Sequence, residues 1–393
     1  MKLRTAIAIA ACTAAIAALT SACGSAQATA PHPGAAASLS TTVPLATSVQ
    51  TADADWAVLP MGGSNPPQDE FWELFVRAPQ ATNQTTTWKL ATPPGVASNG
   101  GLVIAATGDK TALAGFRPSQ DLKFSPLAAT PDAGITWTQS ALINPGLARA
   151  PDSLAVTTAG ALIALADQGQ VQHASRLGAS WTPMTSRDAI ARTPAGRACG
   201  LASLTAVAFT AAGKPLLGGD CTRPGTVGLF TLVNDGWQAA GLTLPSGLRQ
   251  QPVEVLGLST ITGRTTVTLA VGRGAATQIV AAWTGNGVRT WTLSSQLRTG
   301  GHPLIAQSLW PNGAVGLVLS GGHAATIRPG KSWQLLPAPP PQTATLALGP
   351  GGQLQALAAT KTSFTAWQLT AGTAPHWDQI QATKISIPYG SSG

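Results

Sequence analysis

Charged side chains make up only 10% of the 393 residues, against roughly a quarter in an ordinary soluble chain. That scarcity excludes a charged disordered chain and a coiled coil, each of which needs far more Glu, Lys and Arg. The five histidines, His32, His173, His302, His323 and His376, lie far apart, and neither an HExxH nor a paired spacing offers a metal site. There is no Gly-x-Ser-x-Gly elbow, and Gly272-Arg273-Gly274 falls between two strand-like runs, where it reads as a hairpin turn rather than a phosphate cradle. Neither a metal nor another cofactor is expected. The 23 basic and 15 acidic residues leave a charge of +8, too mild on a chain of this size to mark a nucleic-acid binder.

Long apolar runs are scarce as well. Residues 6–19 form one, behind Lys2 and Arg4 and ahead of Thr20-Ser21-Ala22-Cys23, which is the layout of a signal peptide. It is shorter than the roughly 20 residues that a membrane-spanning helix needs. The LTSAC stretch resembles the lipobox of bacterial lipoproteins. The resemblance implies cleavage before Cys23 and attachment of a diacylglycerol to its sulfur, and two or more acyl chains make a stable anchor. Ordinary secretion with cleavage near Ala28 or Ala30 is the alternative. The Ala-rich leader and Ala/Gly/Pro/Thr-heavy body also resemble actinobacterial lipoproteins, which implies the outer face of the cytoplasmic membrane. Residues 1–22 are then the signal peptide. Residues 23–50, uncharged and rich in Ala, Ser, Thr and Pro, read as a lipidated tether. With Cys12 removed and Cys23 lipidated, Cys199 and Cys221 remain as an expected disulfide, since two thiols alone cannot close a zinc site.

Tryptophan is the one aromatic in supply, with 12 Trp beside 7 Phe and 1 Tyr. Trp88, Trp137, Trp181, Trp237, Trp291, Trp333 and Trp377 recur in similar surroundings at intervals of 42 to 56 residues, close to the 40–50 or so of a four-stranded blade. Between them run short β-type segments parted by Gly, Pro, Asn or Asp; SLAVTTAG, ALIALAD, QVQHAS and SWTPM, for example, make four strands within residues 153–184. Helical periodicity is nowhere sustained. The expectation is an all-β, seven-bladed β-propeller over residues 51–393, with a β-sandwich or two stacked β domains as the alternative. Only three strands, in ADWAVLPMG, DEFWELFVRAP and TTTWKLATP, precede the second interval. The C-terminal run KISIPYG is therefore expected to supply the missing strand and close the ring.

Thr130-Pro131-Asp132-Ala133-Gly134-Ile135-Thr136-Trp137 resembles the Asp-box, S/T-x-D-x-G-x-T-W, of sialidase-like BNR propellers. In such a turn Thr130 and Asp132 hold the backbone, Gly134 takes a positive φ and Trp137 packs on the sheet. The resemblance includes sialidases as well as non-catalytic assembly factors, which makes sialidase-like glycoside hydrolysis the catalytic alternative. That chemistry uses a Tyr/Glu pair and an acidic proton donor. The chain offers one tyrosine, Tyr389, and three glutamates, Glu70, Glu73 and Glu254, with no evident pairing, and no catalytic residue is assigned.

Arginine placement carries the remaining signal. In a propeller, loops joining fourth to first strands and second to third strands share one face. Arg117, Arg149, Arg187, Arg192, Arg197, Arg223, Arg249, Arg273 and Arg298 fall in those loops, nine of fifteen arginines. Guanidinium forks match carboxylate and phosphate groups. The chain is thus expected to be a monomeric, membrane-anchored binding, scaffold or assembly module for an anionic cell-wall component or a protein partner. For the anchor, mass spectrometry of the extracted protein should find a diacylglyceryl-modified N-terminus at Cys23, and Cys23→Ala should release the protein from membranes. An unmodified N-terminus at residue 29 or 31 would show ordinary secretion instead.

Overall fold

Sheets of four antiparallel strands, each a simple meander, account for almost all of the regular structure. The computed structural model describes residues 45–385 apart from 62–70, 79–86, 94–100, 109, 117–126, 140–150, 167–168, 286–287, 289 and 361. The first sheet holds β1 (Thr47–Gln50), β2 (Asp55–Met61), β3 (Phe71–Arg77) and β4 (Lys89–Leu90), and the second β5 (Leu102–Ala106), β6 (Ala112–Phe116), β7 (Leu127–Thr130) and β8 (Thr138–Gln139). The third contains β9 (Pro151–Val156), β10 (Leu162–Ala166), β11 (Gln170–Ala174) and β12 (Thr182–Ser186).

A nine-stranded sheet follows, made of two such meanders. The first is β13 (Leu201–Phe209), β14 (Pro215–Cys221), β15 (Gly228–Val233) and β16 (Gly236–Ala239), and the second β17 (Val253–Ile261), β18 (Arg264–Val271), β19 (Gln278–Thr284) and β20 (Thr292–Leu293). They join where Asp220 and Cys221 of β14 pair with Glu254 and Val253 of β17, and β21 (Leu297–Arg298) adds to β19. The last two sheets are β22 (Leu304–Leu309), β23 (Val315–Leu319), β24 (His323–Ile327) and β25 (Gln334–Leu335), then β26 (Thr345–Leu348), β27 (Leu354–Ala359), β28 (Ser363–Leu369) and β29 (Trp377–Lys384).

Each of the seven recurring tryptophans stands at the start of the fourth strand of its meander, within it or one residue ahead of it. In three of them the indole N–H reaches the preceding meander. Trp291 donates to the carbonyl of Ala240 at 2.9 Å, Trp333 to Ser295 at 3.0 Å and Trp377 to Pro337 at 3.2 Å. Each acceptor lies just past the fourth strand of the preceding meander. These three thus supply both an apolar body to the inter-sheet core and a donor that fastens one meander to the one before it.

Two expectations need correction. The first sheet takes its fourth strand from β1, within the residues read as tether, and not from the C-terminal run. Thr47–Gln50 pairs along β2, because Ala46 and Ser48 are buried while the C-terminal β29 is already committed to β28. Tyr389 and most of KISIPYG lie outside the described residues, as does Cys23. Second, the segment between β12 and β13, read as a loop, forms two short helices, α1 (Arg187–Ala191) and α2 (Pro194–Cys199). Ser186 and Thr193 cap their N-termini, Pro194 opens α2, and Gly200 ends it at φ 66°. Both are too short to leave a helical period in the sequence.

The inner strands surround a central cavity of about 1020 Å³ lined by β1, β5, β9, β13, β17 and β22. β26 contributes nothing to that lining, because β1 reaches across to β22, where Ala46 and Ala306 form a parallel bridge. Three buried hydroxyl and indole groups seal this junction. Ser48 N–H donates to Ser308 Oγ at 2.9 Å, Trp310 Nε1 donates to Ser48 Oγ at 3.0 Å, and both serine hydroxyls donate to the carbonyl of Leu346.

Further out, Arg77 joins the first and last sheets. Its guanidinium, 2% exposed, pairs with Asp55 at 2.6 Å and donates to the Gln355 side chain and the Leu348 carbonyl. The face of Trp88 covers it at 4.7 Å. Burial raises the Asp55 carboxyl above its ordinary range, although Arg77 pulls it back down. Removing one partner of such a buried pair costs about 3–5 kcal/mol, whereas an exposed indole hydrogen bond is worth about 1 kcal/mol. Arg77→Met should therefore lower the denaturant midpoint far more than Trp333→Phe, and equal losses would show that the ring is not closed through Arg77.

Candidate functional site

Backbone bonds knit the 4→1 and 2→3 loops together at one end of the cavity. Thr222 N–H donates to Gly200 O at 3.0 Å, Gly225 N–H to Gln251 O at 2.8 Å and Thr299 N–H to Thr277 O at 3.2 Å. Seven of the nine arginines singled out above lie among the described residues, all at this end; Arg117 and Arg149 lie outside them. Arg187 opens α1 and pairs with Asp188 at 3.1 Å, while Arg192 caps the same helix. Arg197, in α2, donates from Nη1 to the Arg192 carbonyl. Arg223 follows β14, Arg273 sits in the β18–β19 turn and Arg298 lies in β21. Arg249 is oriented by a 2.9 Å bond from its Nε to Leu244 O. All but the half-buried Arg187 are exposed.

The opposite end has different chemistry. Lys110, Lys214 and Lys331 occupy its 1→2 and 3→4 loops with Arg176, Arg264 and Arg328. The Thr130–Trp137 turn lies there too. Thr130 Oγ1 accepts from Gly134 N–H at 2.8 Å and donates to Asp132, whose carboxylate accepts from the Thr136 N–H at 2.8 Å and hydroxyl at 2.6 Å. These bonds hold the Asp132 carboxyl below its usual range, Thr136 foremost. Gly134 has φ 81°, and a Cβ there would stand 2.7 Å from that of Ala91. The turn is built for rigidity.

Cys199 and Cys221 form a disulfide. It ties the last residue of α2 to the last residue of β14, and Arg223 N–H donates to the Cys199 carbonyl at 3.2 Å. The bridge therefore fixes the segment that carries Arg192, Arg197 and Arg223. Sequence reasoning found no partner for Glu254, which lies directly across from Asp220 at the β14–β17 junction. Asp152 and Glu254 are the charged residues of the cavity lining, and no Lys or Arg joins them among its described residues. Burial raises the Asp220 carboxyl, opposed by the charge of Arg273. No pattern in the sequence marks this pair, because it arises from a pairing between two meanders. Elsewhere, burial raises the carboxyl of Glu73, which accepts the Thr92 hydroxyl.

Chain-entropy reasoning gives a disulfide spanning 22 residues a stabilisation of about 3 kcal/mol. The Cys199→Ser/Cys221→Ser protein should unfold at correspondingly lower denaturant. Protease cleavage within residues 187–200 should also accelerate before global unfolding, and an unchanged cleavage rate would show that α1 and α2 hold without the bridge.

No protein-family model matches the sequence, and no curated protein sequence does. Solved structures resemble it in shape. The GH74 xyloglucanase from Xanthomonas campestris aligns with a TM-score of 0.52 at 12% identity, over 86% of this chain and 54% of that one, so this chain spans about half that enzyme's length. YCF48 from Cyanidioschyzon merolae aligns at 0.45 and 15% identity, over 80% and 96% of the two chains. A fungal lectin from Aleuria aurantia, described as a six-bladed β-propeller, aligns at 0.41 and 13% identity, over 74% and 97%. At such identities likeness extends to the fold alone. With four-stranded sheets set around one cavity, that fold is an all-β, propeller-like one.

Proposed function

We propose that the chain is an exported, lipid-anchored, seven-bladed propeller that holds an anionic cell-wall polymer or acidic protein surface on its arginine-bearing end without turning it over. The blade number follows from taking the nine-stranded sheet as two blades beside the five four-stranded sheets. The anchor rests on Cys23 and the residues before it. One observation carries the functional reading: arginine predominates in the 4→1 and 2→3 loops, where nine arginines fall beside Lys123 and Lys361, while the described residues of the loops opposite hold Lys110, Lys214 and Lys331 with Arg176, Arg264 and Arg328. Arginine offers a planar fork to carboxylate or phosphate oxygens, which lysine does not. The disulfide and the backbone bonds of the 199–226 segment fix the backbone that carries Arg223 and the end of α2 behind Arg197, which lowers the ordering cost of binding.

A second reading, glycoside hydrolysis, draws on Asp220 opposite Glu254, since a carboxyl raised by burial suits a proton donor. The two readings part in one experiment. Purified protein is incubated with envelope extract and, separately, with fluorogenic sialosides and other glycosides. Capture of acidic material should weaken as salt rises, since exposed charge is screened over about 10 Å at 0.1 M. Arg187→Ala/Arg192→Ala/Arg197→Ala should reduce capture while leaving the unfolding midpoint nearly unchanged. Hydrolysis abolished by Asp220→Asn or Glu254→Gln would establish the enzyme reading in its place.

A further inference from the structure

Two histidines that stand apart in the sequence meet in the fold. His302 lies in the loop between β21 and β22, and His323 opens β24, too far along the chain for any ligand spacing to mark the pair. One backbone bond joins their segments, from Ser320 N–H to the Pro303 carbonyl at 2.8 Å. His302 is set in place by its own N–H, which donates to the Thr299 carbonyl at 3.1 Å.

Glycine makes the close approach possible. Ser320, Gly321 and Gly322 join β23 to β24, and the two glycines take φ 76° and 75°, a region that favours glycine. A Cβ on Gly321 would stand 3.1 Å from Nδ1 of His302 and 3.5 Å from Cδ2 of His323, so one edge of each ring faces the same bare glycine. The ring centroids are 4.3 Å apart, with the planes inclined at 52°. His302 is half-buried and His323 exposed. Neither ring has a hydrogen bond or ion pair among the described residues, whereas His173 meets Thr182 and His376 meets Thr370, Ala374 and Asp378. The nitrogens of this pair thus have no competing partner within the described protein.

We infer that His302 and His323 together bind one transition-metal ion through a nitrogen of each imidazole, leaving its other positions to water or to a donor brought from outside. Two imidazoles on one ion, with bonds of about 2.0–2.1 Å at about 90–110° to each other, have centroids about 4.5–5.2 Å apart. The observed pair reaches that range when the exposed His323 ring turns outward about its side-chain torsions. Imidazole suits copper, nickel and zinc, and copper(II) binds most tightly among the divalent first-row ions. Residues 299–303 and 319–323 contain no Asp or Glu, so calcium and magnesium, which need oxygen ligands, are poorly served. The inference is independent of whether the arginines take an anion.

The test is titration of the full chain, without a polyhistidine tag, with copper(II), followed by calorimetry and by pulsed electron paramagnetic resonance. Copper should bind saturably, and the resonance should register two imidazoles on the ion. His302→Asn and His323→Asn should each weaken binding by about tenfold or more, since two linked donors gain from each other's effective concentration. Where His302→Asn lowers the unfolding midpoint, the exposed His323→Asn still tests the pair. His173→Asn/His376→Asn should bind copper as the parent does. So should Arg187→Ala/Arg192→Ala/Arg197→Ala, which separates this site from the anion reading. Undiminished affinity in His323→Asn, a single imidazole on the ion in the parent, or an equal loss in the His173→Asn/His376→Asn or arginine variant would each overturn the assignment.

Discussion

Neighbouring meanders must be held at a fixed spacing, and in the second half of the chain the indole N–H of Trp291, Trp333 and Trp377, each bonded to a backbone carbonyl of the preceding meander, does this. A four-stranded sheet buries one face only against another sheet, and a circle of sheets has no second layer to fix its spacing. Trp291, Trp333 and Trp377 provide that spacing. In these three the acceptor falls three or four residues after the preceding tryptophan, so the meanders ending at Trp291 and Trp333 are both donor and acceptor. Trp88 gives its N–H to Gln355 instead. At that point the first sheet meets the last, and the repeat has no predecessor in sequence to receive the bond. Arg77 takes over, with contacts to Asp55, Gln355 and Leu348. A buried charge with four hydrogen bonds thus sits where the ring must be joined without help from chain connectivity.

That joint also shapes the cavity. Because β1 bridges to β22, β26 is kept off the cavity wall, and six strands line it. Ser48, Ser308 and Trp310 occupy the space where a further strand would otherwise present its backbone. A buried polar cluster of this kind is stable only when every member is satisfied, and here the Leu346 carbonyl receives both serine hydroxyls. The arginine-bearing end is then carried on strands whose separation is set, and the Cys199–Cys221 bridge adds local rigidity where α1 and α2 interrupt the all-β pattern.

Sequence periodicity made the outer part of each meander legible. The tryptophan spacing placed the fourth strands, and alternating short runs placed the strands between Ser153 and Met184. It failed for β1, whose Thr-Ser-Val-Gln has the composition of the tether before it; its burial comes from contacts with β22 and β26, more than 250 residues away. Arg77 was equally hidden, since an arginine ending an apolar strand looks like an ordinary solvated terminus until Asp55, Gln355 and Trp88 are brought around it. Loop membership, by contrast, follows directly from strand order, which is why the arginines could be assigned to one end before any coordinates. Glu254 finds no partner in the sequence because its opposition to Asp220 depends on β14 meeting β17, a pairing between meanders that no local pattern encodes.

Open outer edges remain a hazard for any ring of sheets, and β29 is the long one, eight residues beside outer strands of two to five. Its register against β28 shifts between Ala366 and Trp367, where Gln381 and Gln379 are the successive partners and Ile380 is left over. On one side of the shift Ile385 N–H bonds inward to Thr362 O; on the other, Thr370 N–H bonds to His376 O. Backbone groups facing outward therefore fall on Ala382 and Lys384, then on Gln379 and Trp377, a step of three where a regular strand offers only two. A second chain cannot pair along the whole edge, although Ile380 is 48% exposed. Asp378 and Lys384 add charge at either end of the same strand, as protected edges commonly do. The irregularity that blocks strand addition leaves the pairing of β29 with β28 regular from Gln381 to Lys384.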